Sequence, residues 1–248
     1  MADHSDIEWT EATWNPTTGC DRTSPGCDHC YALTLAKRLK AMGNPKYQRD
    51  GNPRTSGPGF ELTLHADALT VPYRWPTPRL IFVNSMSDLL HPDVPDTFIN
   101  QVLEVMRETP RHTYQLLTKR SQRLRRSAAK FRWPDNLWVG VSVESAAYRF
   151  RIDHLREVPI STRFLSLEPL IASVGRIDLT GIHWVIVGGE SGPHARSIEY
   201  EWVVDIRDQC LASNVPFFFK QWGGRTPKAG GRELDGALWD EMPTLAAG

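Results

Sequence analysis

Net charge, long apolar runs and cysteine are all scarce in this chain of 248 residues. Lysine plus arginine (29) balance aspartate plus glutamate (29), so no global field draws the protein to nucleic acid or to an anionic membrane. Any such affinity has to come from a local patch. No apolar stretch approaches the roughly 20 residues of a membrane-spanning helix. The first residues, Met1 to Asp6, are polar and acidic, unlike a signal peptide. Four cysteines without an export signal lead to the expectation of a cytoplasmic protein, where thiols serve metals better than disulfides. Internal repeats are lacking, and so is any His-x-x-x-His pair. His65, His91, His112, His154 and His183 are therefore read as structural or surface groups. The length fits one large domain, since α/β barrels run to roughly 200–250 residues as a single unit.

Three of the four cysteines lie together. Cys20, Cys27 and Cys30 follow the spacing C-x6-C-x2-C, in a loop punctuated by Pro16, Gly19, Pro25 and Gly26. The glycines permit the close turns that wrapping one centre requires. The apolar run Tyr31, Leu33, Leu35, Ala36 and Leu39 predicts a helix directly afterwards. Cys30 would then sit at a helix N-terminus, a position that favours the thiolate. A closed structural zinc site takes four protein ligands, whereas a cubane iron–sulfur cluster on three thiolates leaves one iron open. Spacing alone leaves both readings standing: zinc with His29, Asp21 or the distant Cys210 as fourth ligand, or an iron–sulfur cluster.

Beyond the cysteine loop, residues 43–59 hold four glycines and three prolines and predict a long surface loop, a solvated linker or a substrate lid, within an insertion spanning 43–78. A rhythm then sets in. Residues 7–15, Leu80–Val83, Tyr114–Leu117, Leu137–Val141, Arg163–Leu167, Trp184–Val187 and Val215–Phe219 read as strands. Helices are predicted from about Pro95 to Glu108 and from Tyr200 to Ser213, the first carrying Phe98, Ile99, Val102, Val105 and Met106 at helical spacing. Strands that are apolar throughout, separated by helices, imply a parallel sheet covered on both faces. The expected fold is α/β, a partial (β/α)6–7 TIM-like barrel over residues 1–226 with an N-terminal cluster-binding loop. Residues 227–248, rich in glycine, are expected to form a loosely packed tail.

Polar groups recur at the C-terminal ends of these strands: Ser85 and Asp88, Lys119, Ser142 and Glu144, Glu168, Glu190 and Ser191, Lys220 and Gln221. In βα barrels such ends converge on the face that carries active sites. Gly188-Gly189-Glu190 would let backbone approach a ligand closely while the carboxylate accepts hydrogen bonds from an ammonium or a ribose hydroxyl. Glu144 and Glu168 also admit paired-carboxylate acid–base chemistry, as in a barrel hydrolase. The segment Arg111–Arg132 holds eight Lys or Arg and no acid, with Arg123, Arg125, Arg126 and Lys130 predicted to point outward. It reads as a solvated helix face or as a patch contacting DNA or RNA phosphates. Cys210 falls at an apolar helix position with Val203 and Ile206 and is read as core, with a late-acting thiol donor as the alternative.

With three clustered cysteines after a first strand, a βα rhythm and a G-G-E, the chain resembles the radical S-adenosylmethionine superfamily. The runs Thr18–Cys20, Gly26–Ala32, Phe82–Asp88, Gly140–Glu144 and Val187–Gly192 resemble more closely a phage-type protein family of unknown function with the same C-x6-C-x2-C loop. The resemblance spans residues 7–224. It implies a 4Fe–4S cluster on Cys20, Cys27 and Cys30, with S-adenosylmethionine on the open iron and a one-electron reductant protein as partner. Reductive cleavage would yield a 5′-deoxyadenosyl radical, and a DNA lesion or a modified base would be the substrate. Among cofactor-binding positions, the resemblance puts His29 near the adenine and Ser142 and Glu144 near the ribose or methionine moiety. Glu168, Gly188, Gly189 and Glu190 complete the set. Two departures qualify it: the superfamily's first cysteine gap is three rather than six, and its G-G-E follows the second strand. Ser85 or Asp88, at the end of that strand here, are the expected partners of the cofactor's amino group.

Overall fold

Seven runs of β-branched and aromatic residues pair into one parallel sheet, and the alternation within each run decides what lies on either side of it. The computed structural model describes residue 5, residues 7–226 and residues 229–244. In chain order the elements are β1 (Ala12–Trp14), β2 (Thr17–Thr18), α1 (Tyr31–Ala41), β3 (Thr63–Leu64), β4 (Leu80–Val83) and α2 (Asp96–Glu108). They continue with β5 (Thr113–Thr118), α3 (Ser121–Arg126), β6 (Leu137–Ser142), α4 (Phe150–Arg156) and β7 (Thr162–Leu167). The last are β8 (Trp184–Gly188), α5 (Tyr200–Ala212), β9 (Phe217–Gln221), β10 (Glu233–Leu234) and β11 (Ala237–Leu238).

The large sheet runs β1-β4-β5-β6-β7-β8-β9, with every neighbour parallel, and forms a partial barrel. Parallel neighbours need crossovers, and α2 to α5 supply most of them on the outer face. The outer-facing residues Ile81, Val83, Leu116, Val139, Val141, Leu165, Leu167, Val185, Val187, Phe217 and Phe219 join the main core with the buried stripe of α2. The opposite, inward face carries a second cluster of Trp9, Phe82, Trp138, Phe164, Trp184, Ile186 and Phe218. These rings meet mostly edge-on, as Trp138 does Trp184 at 6.0 Å, an arrangement aromatic quadrupoles favour. They plug the floor of the half-barrel, beneath the polar groups at the strands' C-terminal ends.

Three parts differ from the sequence expectation. The first strand is only Ala12–Trp14, because Ile7–Thr10 closes a turn (Thr10 N–H to Ile7 O, 3.2 Å). The insertion at 43–78 is neither bare linker nor free lid. Its Tyr47 and Phe60 are buried against Ala32, Ala36 and Met86, and its β3 pairs antiparallel with β2. The tail packs. Leu234 is buried, Trp239 O accepts from Phe219 N–H (2.9 Å), Glu241 O accepts from Trp184 Nε1 (2.8 Å), and Met242 lies against the aromatic floor. The physical reason is the open edge of β9, whose backbone groups need cover. Residues 227–228 and 245–248 of the predicted tail lie outside the described residues. None of the described helices is long and apolar enough to cross a membrane.

Candidate metal centre

Side chains alternate along a strand, so the inward face that carries the aromatic floor also carries, two, four or six residues further on, the polar strand ends. Phe82 leads to Asn84, Trp138 to Ser142 and Glu144, Phe164 to Ser166 and Glu168, Trp184 to Gly188 and Glu190, and Phe218 to Lys220. Ser142 and Ser166 are direct partners across β6 and β7. The same parity groups Ser142, Glu144, Glu168, Gly188 and Glu190 in a layer above the floor, and leaves out Ser85 and Gly189.

The cysteine loop leaves β1 into this layer. Asn15 ties it down, accepting from Met86 N–H (3.0 Å) and bonding Ser85 Oγ (3.1 Å). Gly19 takes φ +85°, and a Cβ there would stand 2.1 Å from Glu61 O, so only glycine fits. Cys20 follows, 3.8 Å from Arg120 Nη2. Pro25–Cys27 form a 3-10 turn that brings Gly26 against Glu144, whose Oε1 is 3.2 Å from where a Cβ of residue 26 would be. Cys30 caps α1, as the sequence predicts. The four cysteines are free thiols. Burial, reinforced by the Asp88 charge, pushes the Cys20 thiol up to about 12. Burial also pushes Cys30 up, against the lowering effect of the Leu33 and Ala32 N–H groups, so the expected depression at the helix terminus is outweighed. Cys27 adds a further, smaller raising contribution to both other thiols. Thiols that burial holds protonated ligate only where a metal cation replaces the proton.

Asp21 and Cys210 are engaged elsewhere, whereas the His29 contact uses only one ring nitrogen. His29 Nδ1 pairs with Glu190 Oε2 (3.1 Å), Asp21 is held by His91 Nε2 (2.9 Å) and Thr55 Oγ1 (2.6 Å), and Cys210 is buried in the α5 core. Among the described residues, no three His, Cys, Asp or Glu side chains are set to hold a single ion. Each acid of the paired-carboxylate reading has a cationic partner of its own. Glu144 Oε2 accepts from Arg151 Nη1 (2.7 Å), while Glu168 is paired with Lys220.

Several predicted cofactor contacts have intramolecular tasks. Asp88 accepts from the Thr118 hydroxyl (2.8 and 2.9 Å) and from the N–H groups of Leu90 (3.0 Å) and Lys119 (3.2 Å), tying the end of β4 to β5. Glu190 accepts from His29 and from Arg196 Nε (2.9 Å) and N–H (3.0 Å), with Arg196 Nη2 on its other oxygen. Burial raises its carboxyl, but the Arg196 and His29 hydrogen bonds outweigh burial and hold it at about 2. Arg196 Nη2 also donates to Pro25 O (2.8 Å), so Glu190 and Arg196 latch the cysteine loop to the end of β8. The close approach at Gly189 is to the chain itself, since a Cβ there would lie 2.1 Å from Trp222 O. Gly188 packs under the Glu168 carboxyl, and Ser85 O accepts from Tyr31 Oη (2.5 Å).

What the layer leaves unpaired is equally informative. Buried atoms without a partner include Ser24 Oγ, Asn84 Oδ1, Arg120 Nε, Glu144 Oε1 and Ser166 Oγ. All five belong to the cysteine loop or to the ends of β4, β5, β6 and β7. Such orphans are uncommon in folded proteins and call for a partner.

A family model matches residues 4–243. The chain belongs to the DUF5131 family. That family is described as a protein of unknown function. No curated protein matches. Among solved structures, a spore photoproduct lyase mutant aligns over 84% of this chain and 63% of its own, at 13% identity and a TM-score of 0.49. Spore photoproduct lyase complexed with dinucleoside spore photoproduct aligns over 78% and 59%, at 12% identity and a TM-score of 0.43. The DUF5131 chain thus spans about three fifths of the length of these structures.

Sequence reasoning missed three residues around the cysteine loop and the strand ends. Arg196 and Arg151 lie outside every motif, and Ser166 sits inside an apolar strand. His91, read as structural or surface, is buried and holds Asp21 beside Cys20. In the basic segment only Arg123 departs from the expected outward placement. Arg123 donates to Val94 O (2.6 Å), to Asp96 Oδ1 (2.9 Å) and to His91 O, while Lys130 pairs with Asp96 (3.2 Å) and Arg125 with Glu157 (3.6 Å). Arg123 is thus a structural partner, whereas Arg125 and Lys130 stay exposed in surface ion pairs and Arg126 is exposed with no ion pair among the described residues. Arg123→Glu is therefore expected to act on stability. Losing a half-buried guanidinium with three acceptors should cost about 2 kcal/mol, or roughly 4–8 °C in midpoint at this size. Differential scanning fluorimetry checks this, and an unchanged midpoint would show that the contacts carry no weight.

Proposed function

We propose that this DUF5131 protein is a radical S-adenosylmethionine enzyme. The observation that carries the reading is three free thiols on one loop at the mouth of a partial parallel barrel whose strand ends present unpaired polar atoms. The donor set suits a 4Fe–4S cluster, since Cys20, Cys27 and Cys30 would hold three irons and leave one open. The chemistry supplied when cluster and cofactor are bound is reductive cleavage of the sulfonium to methionine and a 5′-deoxyadenosyl radical that abstracts hydrogen from substrate.

The chain's own residues bind and orient. Glu144 Oε1 is the carboxylate oxygen free to accept from the cofactor's ammonium, because Arg151 already fixes Oε2. Asn84 Oδ1 and Ser166 Oγ, at the ends of β4 and β7, are free to meet its hydroxyl or amino groups. Ser142 and Glu168 border the same layer. Asp88, Glu190 and His29 support the loop that carries the thiols. The aromatic floor keeps water from the underside of the site. A one-electron donor protein completes the scheme, in the reducing cytoplasm that the cysteine usage favours.

A nucleic acid is the proposed substrate class, with cations at the rim beside those of α3. Arg22 and Arg54 stand exposed on two loops joined by the Arg22 N–H to Thr55 O bond (2.6 Å), and neither has an ion pair among the described residues. Arg22→Glu/Arg54→Glu should weaken DNA or RNA binding and flatten its salt dependence by about two charges. Titrations at two salt concentrations check this, and an unchanged slope rejects the nucleic-acid assignment. The enzyme class is tested by the metal content of protein purified without oxygen. About four irons with equal sulfide and a brown colour are expected, and a colourless protein carrying zinc would refute the class.

A further inference from the structure

Arg120 reaches the cysteine loop from the end of β5, a hundred residues away in sequence. Its Nη2 lies 3.8 Å from Cys20 Sγ and donates to Asp21 O at 3.1 Å. Its Nε is buried and has no hydrogen-bond partner. The nearest acid, Asp88, stands 3.9 Å from that Nε, but its oxygens already accept from Thr118, Leu90 and Lys119. The guanidinium is therefore not closed into a forked ion pair, and its donors face the sulfur and the loop carbonyl.

Asp21 is pinned in turn by His91 and Thr55, so sulfur and guanidinium are both held in place. The neighbouring Lys119 adds positive charge that bears on Cys30. A guanidinium stays charged at any working pH. Charge and hydrogen bonds directed at ligating sulfurs stabilise the more negative, reduced form of an iron–sulfur centre and raise its potential.

We propose that Arg120 is a positioning residue of the metal centre, one that sets its reduction potential by holding a fixed positive charge against the Cys20 sulfur. The proposal rests on the reading of Cys20, Cys27 and Cys30 as cluster ligands. No other group among the described residues combines a donor on a loop cysteine sulfur with an anchor on the loop backbone from a separate strand. Arg120 thereby links the strand end to the ease with which the centre accepts an electron.

The test uses wild type, Arg120→Gln and Arg120→Lys, each reconstituted without oxygen. Iron and sulfide are counted first, and the midpoint is then read by titration monitored by electron paramagnetic resonance. Arg120→Gln should load like wild type. At a fixed poise its reduced-to-oxidised ratio should fall about tenfold, which is a midpoint about 59 mV more negative for one electron. Arg120→Lys, which keeps the charge, should stay close to wild type. A loaded Arg120→Gln protein with the wild-type midpoint overturns the proposal. If Arg120→Gln fails to load, Arg120→Met is compared with Arg120→Lys. Loading by Arg120→Lys alone, at the wild-type midpoint, supports the proposal, and loading by both at one midpoint or by neither overturns it. A wild type that takes up no iron fails at the first count. That outcome removes the ligand reading itself, and the proposal with it.

Discussion

Glu190→Ala is expected to lower the thermal midpoint by about 6–12 °C and to strip most of the iron from protein purified without oxygen. Glu190 has a nearly buried side chain and gathers His29 and Arg196, and Arg196 reaches on to Pro25 O in the cysteine loop. Breaking a buried ion pair costs about 3–5 kcal/mol. Arg196 remains about a third exposed, which sets the estimate at the low end of that range. At this chain length each kcal/mol moves the midpoint by roughly 2–4 °C. Glu190→Gln, which keeps an acceptor oxygen but no charge, should fall between. The effect has a pH signature. The folded carboxyl sits at about 2 against a usual 4.5, so its contribution is present above 4.5 and fades as pH falls toward 2. Midpoints of wild type and Glu190→Ala should therefore converge between pH 5 and about pH 3. A constant gap across that range would assign the loss to packing rather than charge.

The second large effect is the loss of any one loop cysteine. Cys20→Ala, Cys27→Ala and Cys30→Ala should each abolish the iron–sulfur chromophore, since a cubane needs all three thiolates to stay bound. Cys210→Ala is the control. Its thiol is pushed up to about 12 by burial, then by the Glu241 charge, and it packs with the core around α5. That variant should keep its iron and lose about 1 kcal/mol of stability to a small cavity. Iron analysis and the visible spectrum of the four variants decide the matter. Retention of the chromophore by any one loop variant would exclude that cysteine as a ligand.

Much of the fold was legible because its strands announce themselves locally. Leu80–Val83, Leu137–Val141 and Trp184–Val187 are apolar on both faces, which is what a covered parallel sheet requires. The polar strand ends were legible for the same reason, since one parity carries Trp138, Ser142 and Glu144 to one face. What could not be read locally are the long-range bonds. Arg196 meets Pro25 across 171 positions and Arg120 meets Cys20 across 100, and no periodicity links such residues. Counting charges in the basic segment could not show that Asp96 and Glu157, on other elements, answer three of its cations. The tail and the insertion misled through composition. Their glycines and prolines suggest loose chain, but single residues such as Trp239, Tyr47 and Phe60 are enough to pin them.

Glu144 and Glu190 illustrate how one motif class divides. Both are acids at strand ends, both are buried, and the sequence offers no ground to separate them. Geometry does, because Glu190 has both oxygens occupied whereas Glu144 keeps one free beside Gly26 of the cysteine loop. The free oxygen is the better candidate to meet a ligand, and the occupied pair is the better candidate to hold the loop.

The central claim is that the three thiols hold a centre that cleaves S-adenosylmethionine. The most direct measurement incubates the reconstituted protein with S-adenosylmethionine and dithionite without oxygen and follows products by liquid chromatography. 5′-Deoxyadenosine should appear with wild type and be missing with Cys20→Ala. Fully iron-loaded wild type that forms none would contradict the account.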